Sequence, residues 1–234
     1  MVVQLDGGIH TGFRFMHAKG TVVSGSFTPT AQAKSLSRAA HFTGRTVPVT
    51  VRFSNAPGVP TNRDNDPGSG PRGMAIRFNL PGGGFTDIVS ISHNGFVVGT
   101  GDEFLAFLKA VAASGPDTPH PNPIETFMGS HPRAVKFATE VRVVPRSYAT
   151  AAYFGNNAFV FVDGNGKRQP VRYQIVPVAG VANLDSASAV RAGDDYLQQE
   201  IRRRLAHRPI EFRLFAQLPH PGDPTNDGSI VWPA

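Results

Sequence analysis

Beyond Thr46 the chain repeatedly alternates apolar and polar residues with period two, between short clusters of glycine, asparagine and proline. Successive side chains of an extended strand point to opposite faces, so this pattern specifies a sheet with one face buried. In residues 46–54, Val47, Val49, Val51 and Phe53 share one face. Thr46, Thr50, Arg52 and Ser54 share the other, which is polar and carries a cation. Met74, Ile76, Phe78 and Leu80 alternate in the same way, as do Val171, Tyr173 and Ile175, and the run from Ile210 to Leu218. Residues 158–162 are apolar throughout and predict a strand covered on both faces. Pro81-Gly82-Gly83-Gly84 and Asp163-Gly164-Asn165-Gly166 carry hairpin chemistry, so neighbouring strands are expected to run antiparallel.

Helical signals are fewer. Asp102 and Glu103 precede Phe104, Phe107, Leu108 and Val111, the stripe of an amphipathic helix with acids at its start. Thr30 is placed to cap a helix over 31–38, and Asp194 or Asp195 to cap one that buries Tyr196, Leu197, Ile201 and Leu205. Residues 57–71, rich in Pro, Gly, Asn and Asp, read as a long loop of the kind that is functional or disordered.

Composition removes several classes of function. With no cysteine among 234 residues there is no disulfide framework, thiolate nucleophile or cysteine-held metal. No run approaches the roughly 18 apolar residues of a membrane span, and the N-terminus lacks the basic start and apolar run of a signal peptide. A cytoplasmic protein with no membrane partner is expected. The net charge of +6 comes from scattered cations whose tightest run, Arg202-Arg203-Arg204, lies in a helical pattern and reads as a solvated face, not a nucleic-acid site. The glycine cluster at 82–84 lacks the lysine of a phosphate-binding loop, and the eight histidines form no close metal-ligand pair.

One constellation carries chemistry. Arg14-Phe15-Met16-His17-Ala18-Lys19-Gly20 precedes Val51-Arg52-Phe53-Ser54. If the first segment runs beside the second, Ser54 becomes a hydrogen-bond partner for His17, and Arg14 and Arg52 supply two positive charges. That set suits an anionic cofactor with a proton-transfer residue over it. A serine-bonded core histidine is the structural alternative.

These residues, with Asp66-Pro67, Pro71-Arg72-Gly73-Met74-Ala75, residues 153–159, Val171-Arg172-Tyr173, Gly222-Asp223-Pro224-Thr225 and Val231-Trp232-Pro233, resemble the haem catalases, in particular their small branch of catalase-related peroxidases. The resemblance runs over nearly the whole chain. It implies an α+β fold: an antiparallel β-barrel of about eight strands with helices packed outside, one domain over 1–234. It also implies haem b as cofactor, and hydrogen peroxide and a small organic electron donor as partners, with a homo-oligomer left open. His17 matches the distal histidine that moves a proton between the peroxide oxygens, and Ser54 the residue that orients it. Arg14 and Arg52 match arginines that pair with haem propionates. Phe15, Met16, Gly73, Val89, Ser90, Phe96 and Phe104 fall on cofactor-contacting positions.

Two positions depart from the family pattern. Where large catalases place an asparagine over the iron, this chain has Ile91, with His93 or Asn94 able to substitute only through a bulge. The family's axial tyrosine follows an arginine four residues earlier, and none of Tyr148, Tyr153, Tyr173 or Tyr196 does. The expectation is therefore a C-terminally incomplete barrel with no metal ligand of its own. Two other readings follow: a barrel that binds haem or a small ligand without redox chemistry, and an inactive remnant that self-associates.

Overall fold

The computed structural model describes residues 8–233. Seven strands form one antiparallel sheet in strict chain order: β1 (Gly20–Phe27), β2 (Val47–Ser54), β3 (Gly73–Asn79), β4 (Phe85–Ile91), β5 (Tyr153–Val162), β6 (Arg168–Pro177) and β7 (Phe212–Gln217). The sheet curls so that its inward face becomes the core. Val47, Val49, Val51 and Phe53 of β2 meet Met74, Ile76 and Phe78 of β3, Ile88 of β4, and Val171, Tyr173 and Ile175 of β6. Each such side chain taken from water contributes about 1.5–3 kcal/mol before entropy is charged against it. The strand count is one below the approximate eight, and β1 and β7 end the sheet without pairing with each other.

The hairpins form where the turn residues stand. Gly82, Gly83 and Gly84 all have positive φ, which lets β3 reverse into β4 within a few residues. The apolar run at 158–162 is not covered on both faces. Phe161 is buried, but Phe159 and Val160 are 46% and 48% exposed, beside a register shift between Gly155 and Phe159. Phe159 and Val160 point to opposite faces, so beside the shift both faces of the strand are partly open to solvent.

Six α-helices are present among the described residues: α1 (Ala31–Leu36), α2 (Gly101–Ala112), α3 (Pro123–Ser130), α4 (Pro132–Glu140), α5 (Ser186–Arg191) and α6 (Tyr196–His207). Thr100 and Glu103 form a reciprocal capping box on α2, and Asn122 and Glu125 do the same on α3. Phe104, Phe107, Phe127 and Phe137 of α2–α4 pack with Phe96, Val97, Val98 and Ala134 as a second, smaller core outside the sheet. Thr30 precedes α1 without a capping bond. Nor does Asp195 cap α6: the backbone N–H of Leu197 donates to Asp64 Oδ2 at 2.9 Å, from the long loop.

Candidate active site on the outward face of the sheet

Alternation on β2 sends Arg52 and Ser54 outward, opposite to Phe53. The register then fixes their neighbours. One row across the sheet reads Gly20, Ser54, Gly73, Ile91 and Phe154, and the next reads Val22, Arg52, Ala75 and Val89. Ser54 is nevertheless 3% exposed, because the segment before β1 lies across it. There His17 Nδ1 sits 3.0 Å from Ser54 Oγ, a pairing across 37 residues.

The imidazole reaches that position because residue 73 has no side chain. A Cβ on Gly73 would lie 2.7 Å from Ser54 Oγ and 2.8 Å from His17 Nδ1, closer than real Cβ atoms come. His17 itself has φ 55°, left-handed backbone that a histidine seldom adopts. Three hydrogen bonds hold it there: His17 N–H to the Ala56 carbonyl at 2.8 Å, Ala18 N–H to that of Pro57 at 3.1 Å, and Arg52 Nη2 to the His17 carbonyl at 2.7 Å. Arg52 also donates to the Ala18 carbonyl at 3.2 Å. Burial lowers the His17 pKa from 6.5 to about 4, helped by the positive charges of Arg52 and, more weakly, Arg14, against a backbone hydrogen bond at Asn55 that raises it. The ring is neutral at physiological pH.

The structure brings His17, Ser54, Gly73, Arg52 and Arg14 together, with Arg14 exposed at the flank. Phe15 is 53% exposed and Met16 half-buried on the same segment. Val89, 73% exposed, stands on the outward face in the row next to that of Ser54. Phe96 and Phe104, with ring centroids 5.2 Å apart, wall a cavity of about 320 Å³ together with Val89, Ile91 and Phe154. Ser90 is not on this face. It pairs with Met74, and its buried hydroxyl donates to the Met74 carbonyl at 2.6 Å on the inward side. Its neighbour Val89 fixes that outcome, since adjacent strand residues cannot share a face. β4 holds register through Gly73 opposite Ile91, so no bulge turns His93 toward His17. His93 instead bonds the Gly95 carbonyl through Nδ1 and Glu140 Oε2 through Nε2, both at 2.9 Å.

Behind the site lies a buried polar network that residue patterning did not expose. Arg72, 1% exposed, donates to Asn55 Oδ1, to the Ser69 carbonyl and to the Asp64 carbonyl at 2.8–3.0 Å. Asn55 donates to Asp64 Oδ1 at 2.8 Å and accepts from the Tyr148 hydroxyl at 2.9 Å. Lys19, two residues past His17, reaches Asp64 at 3.0 Å and Asp195 at 2.7 Å. Loop 57–71, the start of α6 and the His17 segment are thus tied to one another. The only signal for this in the sequence was acidic and amide residues concentrated in one long loop.

The outward face fits a flat, partly apolar macrocycle with anionic edges: Val22 and Val89 are exposed, Gly73 and Ala75 are small, and Arg52 and Arg14 flank them. No described tyrosine is suited to serve as an anionic iron ligand. Tyr148 and Tyr153 are wholly buried and burial pushes both phenols far up; Tyr173 is pushed up to about 12 and Tyr196 is raised, each chiefly by burial. Among the described residues there is also no cluster of three His, Asp or Glu that would hold a metal ion.

Fold and site together define a curled antiparallel sheet that carries a neutral, serine-bonded histidine on its outer wall. The catalase family model matches residues 11–221, and the chain belongs to that family. It is 38% identical over 229 residues to a catalase-related peroxidase of Mycolicibacterium paratuberculosis, covering 97% of this chain and 72% of that protein. It is 32% identical over 231 residues to a catalase-related peroxidase of Synechococcus elongatus, covering 97% of this chain and 67% of the relative. A fungal catalase crystal structure superimposes with TM-score 0.81 at 20% identity over 96% of this chain and 47% of its own, which shows the shared fold. The chain therefore spans about half the length of that solved catalase.

Proposed function

We propose that this chain carries the distal-side machinery of a haem b-dependent peroxidase that reduces hydrogen peroxide at the expense of a small organic electron donor. The observation that carries this is the neutral His17 held over Gly73 by Ser54, on a face flanked by Arg52 and Arg14. Membership of the catalase family and the likeness to two catalase-related peroxidases support it. A bound haem would supply the redox-active iron at which the peroxide O–O bond is reduced. Arg52 and Arg14 would hold its propionates, and Val22, Ala75 and Val89 would face its ring.

The protein's own part is proton management. With Nδ1–H donating to Ser54 Oγ, Nε2 is left as a free base able to take a proton from one peroxide oxygen and return it to the other. A pKa of about 4 suits both halves of that transfer: the ring is unprotonated at rest, and the imidazolium formed in transit, beside Arg52, returns its proton readily. Ile91 occupies the position next to Gly73 without a hydrogen-bonding amide, which favours a slow peroxidase over rapid peroxide dismutation.

The test is a hemin titration of the purified chain followed by visible absorption, in wild type and His17→Ala. Stoichiometric binding in both, with hydrogen peroxide oxidising an added phenolic donor only in wild type, is the expected outcome. A second reading, haem binding without redox chemistry, is favoured by the four tyrosines that cannot act as tyrosinate. Tight hemin binding with equal and negligible donor oxidation in both proteins would select it.

A further inference from the structure

Lys19 stands two residues past His17, with its side chain 10% exposed. Its Nζ meets four oxygens: the Asn62 carbonyl at 2.8 Å, Asp64 Oδ1 at 3.0 Å, the Asp194 carbonyl at 2.7 Å and Asp195 Oδ1 at 2.7 Å. An ammonium has three protons to donate, so four such contacts amount to the coordination of a cation and not to a set of separate hydrogen bonds. The oxygens come from two segments distant in the chain, Asn62 and Asp64 from the long loop and Asp194 and Asp195 from the turn before α6. Two carboxylates and two carbonyls brought this close repel one another, and the Asp64 side chain is wholly buried. A compact positive charge at their centre is what lets these two walls meet.

The backbone of the same segment is pinned at the near end of that loop. Besides the His17 and Ala18 bonds to Ala56 and Pro57, the Lys19 carbonyl accepts from Asn55 N–H at 3.0 Å. Residues 55–64 and the Lys19 side chain therefore close a ring, from which His17 projects. On the other side Gly20 enters β1 opposite Ser54, so the segment cannot slide along the sheet. With both ends set, the reach of the Lys19 side chain fixes where residue 17 sits.

We infer that Lys19 is a positioning residue, whose ammonium acts as a tethered cation in a cage of four oxygens and holds the His17 segment so that the imidazole meets Ser54. The inference rests on the reading of His17 as the proton-transfer group, yet the placement of the ring is measurable without haem. Arginine does not substitute for this lysine, because a planar fork spreads its charge and cannot set one nitrogen among four oxygens.

Lys19→Ala removes three methylenes and the nitrogen, which are the atoms of n-propylammonium. A cavity of about 300 Å³, lined by Lys19, Asp195, Gln198 and Arg202 among others, gives that amine a way to the cage. The His17 ring is followed by NMR between pH 5 and pH 8 in the hemin-free wild type, Lys19→Ala and Lys19→Arg. The wild-type ring, with its pKa of about 4, is expected to stay neutral throughout, and both variants to take up a proton as their rings return toward 6.5. Propylammonium is expected to restore the neutral ring in Lys19→Ala but not in Lys19→Arg. Tetramethylammonium, a cation with no N–H, is expected to restore neither. With hemin bound, donor oxidation by Lys19→Ala should fall about tenfold or more and recover with propylammonium. The inference is overturned if either variant keeps the wild-type titration, if propylammonium does not restore Lys19→Ala, or if tetramethylammonium restores it as well. Lys19→Arg keeps the charge and decides the matter by itself if Lys19→Ala does not fold. The expected titrations with no donor oxidation by wild type would support the positioning and refute instead the role proposed for His17.

Discussion

Acid should unfold this protein partly through His17, by an amount the structure sets. The ring's pKa is about 4 in the folded chain and 6.5 in the unfolded one. Between those values the unfolded state binds the proton that the folded state refuses, so stability is full above pH 6.5 and falls as pH drops toward 4. Linkage gives a loss of about 2 kcal/mol between pH 7 and pH 5, approaching about 3 kcal/mol at lower pH. With a urea m-value of about 2 kcal/mol/M, the first of these moves the unfolding midpoint by about 1 M. His17→Gln removes the titrating group and should remove that share of the acid loss. Any change in backbone strain at position 17 offsets the variant equally at every pH and leaves the comparison of slopes intact. The lowered pKa of His41, a burial effect of the same sign, is common to both proteins and cancels. Urea midpoints would be measured at pH 7, 6 and 5 for the chain without hemin. Equal losses in wild type and variant would refute a buried, destabilised imidazole at the site.

Gly73→Ala places a methyl 2.8 Å from His17 Nδ1 and so displaces the ring. Donor oxidation with hemin bound should fall at least tenfold for a stability cost of about 1–3 kcal/mol. Unchanged turnover would mean that His17 does not act from the position seen. Arg72→Met deprives Asn55, Ser69 and Asp64 of their buried donor and should cost about 3–5 kcal/mol in urea unfolding. A loss below about 1 kcal/mol would show that the loop is anchored by other contacts.

The strands were legible because period two survives wherever one face is buried, as in Val47, Val49, Val51 and Phe53. It failed at 158–162, where every residue is apolar and only the register shift decides which are covered. The α2 helix was legible from its stripe and acids, whereas α3 and α4 are short and begin at prolines that read as loop punctuation. The α6 cap escaped because its acceptor, Asp64, lies 133 residues away from Leu197. Long-range hydrogen bonds leave no periodic trace, and the Arg72 network is made of them.

The site shows the same division more sharply. The proximity of His17 to Ser54 was readable once β1 was set beside β2, because Gly20 opposite Ser54 brings the preceding residues over that serine. Family position puts Val89 and Ser90 together on cofactor-contacting positions, whereas alternation along β4 sends them to opposite faces, Val89 outward and Ser90 inward. What no pattern carried is the backbone of His17. A left-handed histidine costs stability, of order 1 kcal/mol, and is kept only because Ala56, Pro57 and Arg52 hold the peptide groups around it. Arg52 therefore does two things at once: it pins the strained carbonyl and it adds its charge to the burial that keeps the imidazole deprotonated. The strained residue is also the one with the lowered pKa, and the network from Lys19 through Asp64 to Arg72 braces the loop from which Ala56 and Pro57 reach it. That coincidence of strain, desolvation and bracing on one side chain is the physical ground on which the proposed proton transfer is placed at His17 rather than at His93, which is satisfied at both ring nitrogens on the helical side of the fold.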